Sequence, residues 1–280
     1  MDHMDHIVLA LITLFAATVN GALGYGFSSL TVPVALLFYT NRILNPALVW
    51  VEIVINSYVL LMNRQSVPQV WKRIVPMLFG VFLGVVIGSY ILSSVHPGWL
   101  KFSTYCLLLP LILLQAAGVR RPIKSERSIG VPFGIGIGTL YSVTTISGPP
   151  LALLFNNQGY AKQDFRAALG VIRITESTLT AVAYYFLGLY TLESAQLIPY
   201  IAPSVLVGIP LGTYLISQMN HETFRRWCMS FDAIVVAFGM SRVIVELKLA
   251  PSPEAYSILA LTMAIDGYLL FRFFRDRPPP

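Results

Sequence analysis

Two stretches of this chain set glycine, proline and hydroxyl side chains inside otherwise apolar sequence. The first is Asn20-Gly21-Ala22-Leu23-Gly24-Tyr25-Gly26-Phe27-Ser28-Ser29, followed by Pro33. The second is Thr144-Thr145-Ile146-Ser147-Gly148-Pro149-Pro150, preceded by Gly134, Gly136 and Gly138. Glycine and proline weaken or end a helix. A helix that stops and restarts exposes unpaired N–H groups and a partial positive charge at the restart, which is a natural anion site. Glycine lets an anion approach the backbone, and Ser, Thr and Asn add donors. The residue types predict one cradle from Asn20, Gly24, Tyr25, Gly26, Phe27, Ser28 and Ser29. They predict a second from Thr144, Thr145, Ser147 and Gly148. The competing use of the same small residues is close helix packing.

Charged side chains inside apolar runs are the next candidates, because a charge at membrane depth is costly and marks function by default. Arg173, Glu176, Ser177, Thr180 and Tyr184 follow i, i+3, i+4, i+7 and i+11, one face of a helix. Glu52, Asn56 and Asn63 form a shorter polar stripe, and an offset of 121 residues aligns Glu52 with Arg173. Arg173 suits a fixed positive charge that draws an anion inward, either within the span or at its mouth. Glu52 or Glu176 then neutralises it or carries a coupling proton. The competing reading is a structural ion pair between spans. Asp232 is a further coupling candidate, against simple packing on polar neighbours; Arg242, ten residues on, is about 15 Å away along a helix axis. Asp266 stands alone in the last apolar run.

His96 and His221 read as loop or capping residues. His3 and His6, beside Asp2 and Asp5, read as a loose acidic tail rather than a metal site. Cys106 and Cys228 make no Cys-x-x-Cys pair and read as small buried hydrophobes. No metal and no cofactor is expected. A Gly-x-x-x-x-Gly-Lys-Ser/Thr loop is absent, as is any Ser/His or paired-Asp motif at helical spacing, so the chain does not read as an enzyme.

The elements that position these residues follow from composition. Of 280 residues, 56% are hydrophobic and 11% charged, with a mean hydropathy of +0.70. A soluble domain carries roughly 25% charged residues, so a soluble domain and a disordered tail are excluded. The net charge of +6 comes from basic residues spaced between apolar runs. That pattern fits the cytoplasmic loops of a multi-pass protein in the lipid bilayer, not a nucleic-acid surface. An acidic N-terminus without a basic n-region argues against a cleaved signal peptide. Trp50, Trp71, Trp99 and Trp227 read as interface anchors near span ends.

Segments 7–41 and 128–161 are too long for one crossing of ~30 Å and too short for two. Both are broken in the middle. Irregular backbone at membrane depth is tolerated only when buried or lining a wet cavity, so each is a re-entrant hairpin or a discontinuous span. If every segment crosses, Lys and Arg divide evenly between the two sides. If the two long segments return to their own side, Arg42, Lys101 and Lys248 stand against 14 on the other side. The positive-inside rule selects the second arrangement. It gives about seven full spans, with the N-terminus outside and the C-terminus cytoplasmic.

The halves also resemble each other. Gly21-x-Leu23…Pro33-x-Ala35-Leu36-Leu37-Phe38 recurs as Gly138-x-Leu140…Pro150-x-Ala152-Leu153-Leu154-Phe155, and Gly84-x-x-x-Gly88 recurs as Gly208-x-x-x-Gly212. The expected fold is an all-α polytopic membrane protein built on an inverted repeat. The first repeat is 1–119, with hairpin 7–41 and spans 44–63, 74–95 and 100–119. A basic cytoplasmic linker, 120–127, follows. The second repeat is 128–248, with hairpin 128–161 and spans 167–192, 197–219 and 224–247. An extra C-terminal span and basic tail occupy 249–280. Three spans per repeat is odd, so the second copy enters upside down, the usual build of secondary transporters with sites at broken helices. The paired glycines serve packing within one chain, the reading adopted, or a homodimer interface.

On the glycine-rich break before Pro33, its echo at Gly148-Pro149-Pro150, and Gly84-x-x-x-Gly88 followed by Lys101, the chain resembles the TauE/SafE sulfite exporter family, also called the 4-toluene sulfonate uptake permeases. The likeness covers almost the whole chain. Ser28-Ser29 stands where glycine-richer members carry more Gly. The resemblance implies a substrate class of sulfite, organosulfonates and sulfonated carboxylates, moved across a bacterial inner membrane. A sulfonate offers three acceptor oxygens and one negative charge, which several neutral donors suit. Proton or sodium coupling remains open, as does a carrier or channel for another small anion such as a carboxylate.

Overall fold

The computed structural model describes residues 3–117, 126–216 and 221–275. Among them every regular element is helical. The order is α1 (His3–Leu23), α2 (Phe27–Ala35), α3 (Asn41–Met62), a 3-10 turn (Arg64–Ser66), α4 (Val67–Ser94), α5 (Pro97–Ala116), α6 (Glu126–Thr144), α7 (Gly148–Asn157), α8 (Lys162–Phe186), α9 (Leu192–Ile216), α10 (His221–Glu246), the single turn α11 (Ser252–Ala255) and α12 (Ser257–Arg275). The expected linker 120–127 lies outside the described residues up to Ser125.

Among the described residues, seven helices are long and apolar enough to cross a membrane: α1, α3, α4, α5, α9, α10 and α12. These are not the seven spans read from the sequence. α1 has 21 residues, about 31 Å at 1.5 Å per residue, so segment 7–41 is one full-length arm plus the short α2. The expected loose tail is helical from His3, and the His6 ring meets Tyr200 edge-on at 4.5 Å. α8 has 25 residues but falls outside the apolar class because it carries Lys162, Asp164, Arg166, Arg173 and Glu176. Its charge is turned inward, with Arg173 and Glu176 both buried.

The breaks have local causes. Gly24 and Gly26 have φ of 85° and 111°, left-handed values that glycine adopts at no steric cost. α6 ends where Thr145 takes φ 57°. There the Thr144 hydroxyl donates to the Leu140 carbonyl and accepts from the Ile146 N–H.

Two helix pairs make the most extensive contacts, α4 with α6 and α1 with α9. Both pairs run parallel and close through glycine. Gly80, Gly84 and Gly88 face Val131, Ile135 and Thr139 of α6, while Gly208 and Gly212 face the Leu14–Thr18 stretch of α1. Without a hydrophobic driving force between helices in lipid, such backbone approach supplies the packing. The paired glycines are therefore used inside the chain.

Helix directions follow from these contacts. α3 begins, α4 ends and α8 ends at one end of the bundle, called here the Asn41 end. At this end Arg42 donates to the carbonyls of Leu92, Ser93 and Val95, covering the orphan acceptors of α4. His96 caps α5 by accepting from the Gly98 N–H. The opposite, Arg64 end holds the start of α8 and α10 and the end of α12. Asp266 is not alone: Arg226 of α10 reaches it at 2.8 Å, both side chains buried. This pair ties α12, otherwise buried only at Thr262, to the bundle. Trp71, Trp99 and Trp227 lie within the first two turns of α4, α5 and α10, all exposed. Trp50 instead lies well inside α3, beside the Tyr190 ring.

Candidate functional site

α3 and α8 run antiparallel and cross near their middles, where Glu52 and Arg173 meet. Arg173 Nη2 lies 2.7 Å from Glu52 Oε1, with side-chain exposures of 3% and 0%. Arg173 is therefore buried in the protein, not at a mouth. Two hydroxyls complete the shell of Glu52: Ser28, in the first turn of α2, donates to Oε1, and Tyr141 of α6 donates to Oε2 at 2.7 Å. Beside it, Ser147 donates to Glu176 Oε2 at 2.6 Å, immediately before α7.

Each carboxylate thus sits at a helix restart, Glu52 at α2 and Glu176 at α7. Negative charge is favoured at a helix N-terminus, and a buried carboxylate needs donors on both oxygens. The places read from the sequence as anion cradles are reached here by the protein's own carboxylates. The satisfaction is incomplete. Arg173 Nε, Glu176 Oε1 and Asn56 Nδ2 are buried with no partner. Such groups cost about 1–3 kcal/mol each when left unpaired, so the cluster retains binding capacity at its centre.

The two breaks touch. A Cβ built on Gly148 would lie 3.6 Å from Tyr25 Cβ. Around this contact a small cavity of about 20 Å³ is lined by Tyr25, Gly26, Ser29, Gln115, Pro149, Arg225 and Asp232. Asp232 belongs to this cavity, apart from the Glu52–Arg173 cluster, and its Oδ1 has no partner.

Of the residues expected at the site, Ser28, Glu52, Ser147, Arg173 and Glu176 converge, with Asn56 buried. Thr144 and Thr145 spend their hydroxyls on nearby carbonyls, and Ser29 bonds the Gly26 carbonyl. Asn20 and Phe27 are buried; Gly24 faces Arg166. Three partners were missed in the sequence. Tyr141 holds Glu52, and Asn41 and Asn45 both donate to the Val143 carbonyl, at 3.2 and 2.6 Å, anchoring the end of α6. Tyr141 carried one legible signal, a phenol in a charge-free stretch one turn before the second break.

A family model described as Sulfite exporter TauE/SafE matches residues 9–239. The match takes in both breaks, Glu52, Arg173, Glu176 and Asp232, and leaves out α12. No curated protein and no solved structure matches the chain.

Proposed function

Because the chain belongs to the sulfite exporter TauE/SafE family, we propose that it is a secondary transporter that binds a small sulfur-containing anion between the two helix breaks. The substrates in view are sulfite, organosulfonates and sulfonated carboxylates. The observation that carries this reading is the buried Arg173 held between Glu52 and the two restarts, with its Nε unpartnered. An arriving anion competes with Glu52 for Arg173, and the hydroxyls of Ser28, Ser147 and Tyr141 are within reach of its oxygens. Glu52, Glu176 and Asp232 are the groups available to take a coupling proton. An anion leaving the cytoplasm runs with an inside-negative potential, so export needs no further coupling; uptake does.

We read the two halves as an inverted repeat. Supporting this, α1–α9 and α4–α6 are exchanged pairs joined through matching glycines. Glu52 and Arg173, equivalent at an offset of 121, bond each other, as symmetry mates on a two-fold axis do. The basic residues at the Arg64 end support a reading in which that end faces the cytoplasm, across a bacterial inner membrane.

Two measurements test this. Purified protein in liposomes is expected to exchange labelled sulfite or sulfoacetate, with matched carboxylates carried at least about tenfold more slowly, a difference of ~1.4 kcal/mol. Equal or exclusive carboxylate exchange removes the sulfur assignment and selects the other small-anion reading. For orientation, cysteines replacing the exposed residues His96 and Glu193 are expected to label from outside. Those replacing Gln65 and Gln163, also exposed, are expected to label only from the cytoplasm. Labelling of Gln65→Cys and Gln163→Cys from opposite sides overturns the topology.

A further inference from the structure

A second cavity, of about 290 Å³, is lined by Asn20, Gly24, Tyr58, Asn63, Arg166 and Thr213, among others. It lies at the Arg64 end, between the ends of α1, α3 and α9 and the start of α8. Its one cationic lining residue, Arg166, is half-buried and makes no ion pair or hydrogen bond among the described residues. The guanidinium lies over Gly24. A Cβ built there would come within 3.3 Å of Arg166 Nε, and φ is +85°, so glycine is what admits the side chain. The Asn20 amide is buried, with its Oδ1 unpartnered.

The central cluster and this cavity differ in charge. Arg173 is matched by Glu52, whereas Arg166 has no counter-charge among the described residues. Arg166 precedes Arg173 by seven residues on α8, and Val59 of the cavity wall follows Glu52 by seven on α3. The Glu52–Arg173 pair therefore lies two helical turns, about 10 Å, beyond the cavity on both helices.

We infer that this cavity is a vestibular anion site, in which Arg166 captures a small oxyanion before it reaches the Glu52–Arg173 pair. This deepens the transporter reading and rests on it. An unpaired guanidinium between low-dielectric walls concentrates anions, and its planar fork matches two oxygens of a sulfonate or carboxylate. The equal spacing on α3 and α8 puts the ion pair two turns deeper along the same two helices, so capture at Arg166 and transfer to Arg173 are successive steps along one helix face.

The test uses the full chain with Cys106 and Cys228 replaced by serine and the exposed Thr213→Cys as reporter. Labelling rates are compared for a methanethiosulfonate bearing a sulfonate and one bearing a trimethylammonium group. With Arg166 present the anionic reagent is expected to be favoured, and Arg166→Gln to lower the anionic-to-cationic ratio about tenfold, the lower edge of electrostatic focusing in a cleft. Arg166→Lys should keep part of the preference. Met62→Glu, at an exposed position on the rim, should lower the ratio without disturbing buried structure. Methanesulfonate should slow labelling only when Arg166 is present. Equal protection by acetate identifies a general oxyanion site, and stronger protection by methanesulfonate a selective one. A ratio unchanged in both Arg166→Gln and Met62→Glu overturns the proposal. The labelling ratio reads the cavity whether or not a sulfonate is carried, so failure of the substrate assignment appears separately in the liposome exchange.

Discussion

The Arg173→Gln protein is expected to reach the membrane, to unfold at a lower temperature than the parent, and to exchange sulfur anions at least about 100-fold more slowly. The stability effect comes from Glu52. Its carboxylate is fully buried and loses its only cationic partner among the described residues, keeping the hydroxyls of Ser28 and Tyr141. Breaking a buried pair from one side costs roughly 3–5 kcal/mol, because the remaining charge is stranded. The transport effect comes from losing the fixed charge that the substrate must engage. A loss of ~3 kcal/mol in that interaction corresponds to about two orders of magnitude. The double variant Glu52→Gln/Arg173→Gln separates the two. Removing both charges together is nearly neutral for stability, so thermal unfolding should recover while exchange stays abolished. If exchange also recovers in the double variant, or survives in Arg173→Gln, the pair is structural and Arg173 leaves the mechanism.

A comparably large effect is expected at the glycine seams. Gly84→Val and Gly212→Val should abolish the folded, monodisperse protein in detergent. At Gly84 a Cβ would overlap the Ile135 carbonyl oxygen, and at Gly212 that of Thr18. These are backbone atoms of a neighbouring helix, so no rotamer change relieves the overlap and the helices must separate along their length. Overpacking typically costs about 1–3 kcal/mol where side chains can yield, and here they cannot. Gly136→Ala supplies the control, since nothing lies within 4 Å of a Cβ at that position. It should be neutral, or stabilising by up to ~1 kcal/mol from helix propensity alone. Size-exclusion profiles of the three proteins decide the matter. A folded Gly84→Val or Gly212→Val protein would mean that the seams open without cost.

Much of this was legible in the residues, and for identifiable reasons. Gly24, Gly26 and the Thr144–Gly148 stretch announced the breaks because backbone geometry there depends on local residue type. The polar face from Arg173 to Tyr184 announced itself through helical period. The pairing of Glu52 with Arg173 was visible only as an alignment between halves, since contact between distant helices depends on tertiary packing. The length of α1 was hidden, because apolar sequence is equally compatible with half a crossing and a whole one. Asp266 and Arg226 looked unrelated because they stand in different apolar segments 40 residues apart; the packing of α10 on α12 brings them together. Arg166 carries no signal in the sequence beyond its charge, because its lack of a partner among the described residues is a property of the folded surroundings.

The carboxylates at the starts of α2 and α7 mean that the resting protein carries its own competitor. In the transport reading proposed above, loading is an exchange of one acid for another at the same donors, not the filling of a bare positive site. A carrier built this way keeps the charge of Arg173 matched by Glu52 when idle. It is also tuned to release, because the internal acid is always present to displace the cargo. Such a protein trades tight binding for turnover, and its apparent affinity tracks how readily Glu52 and Glu176 give way.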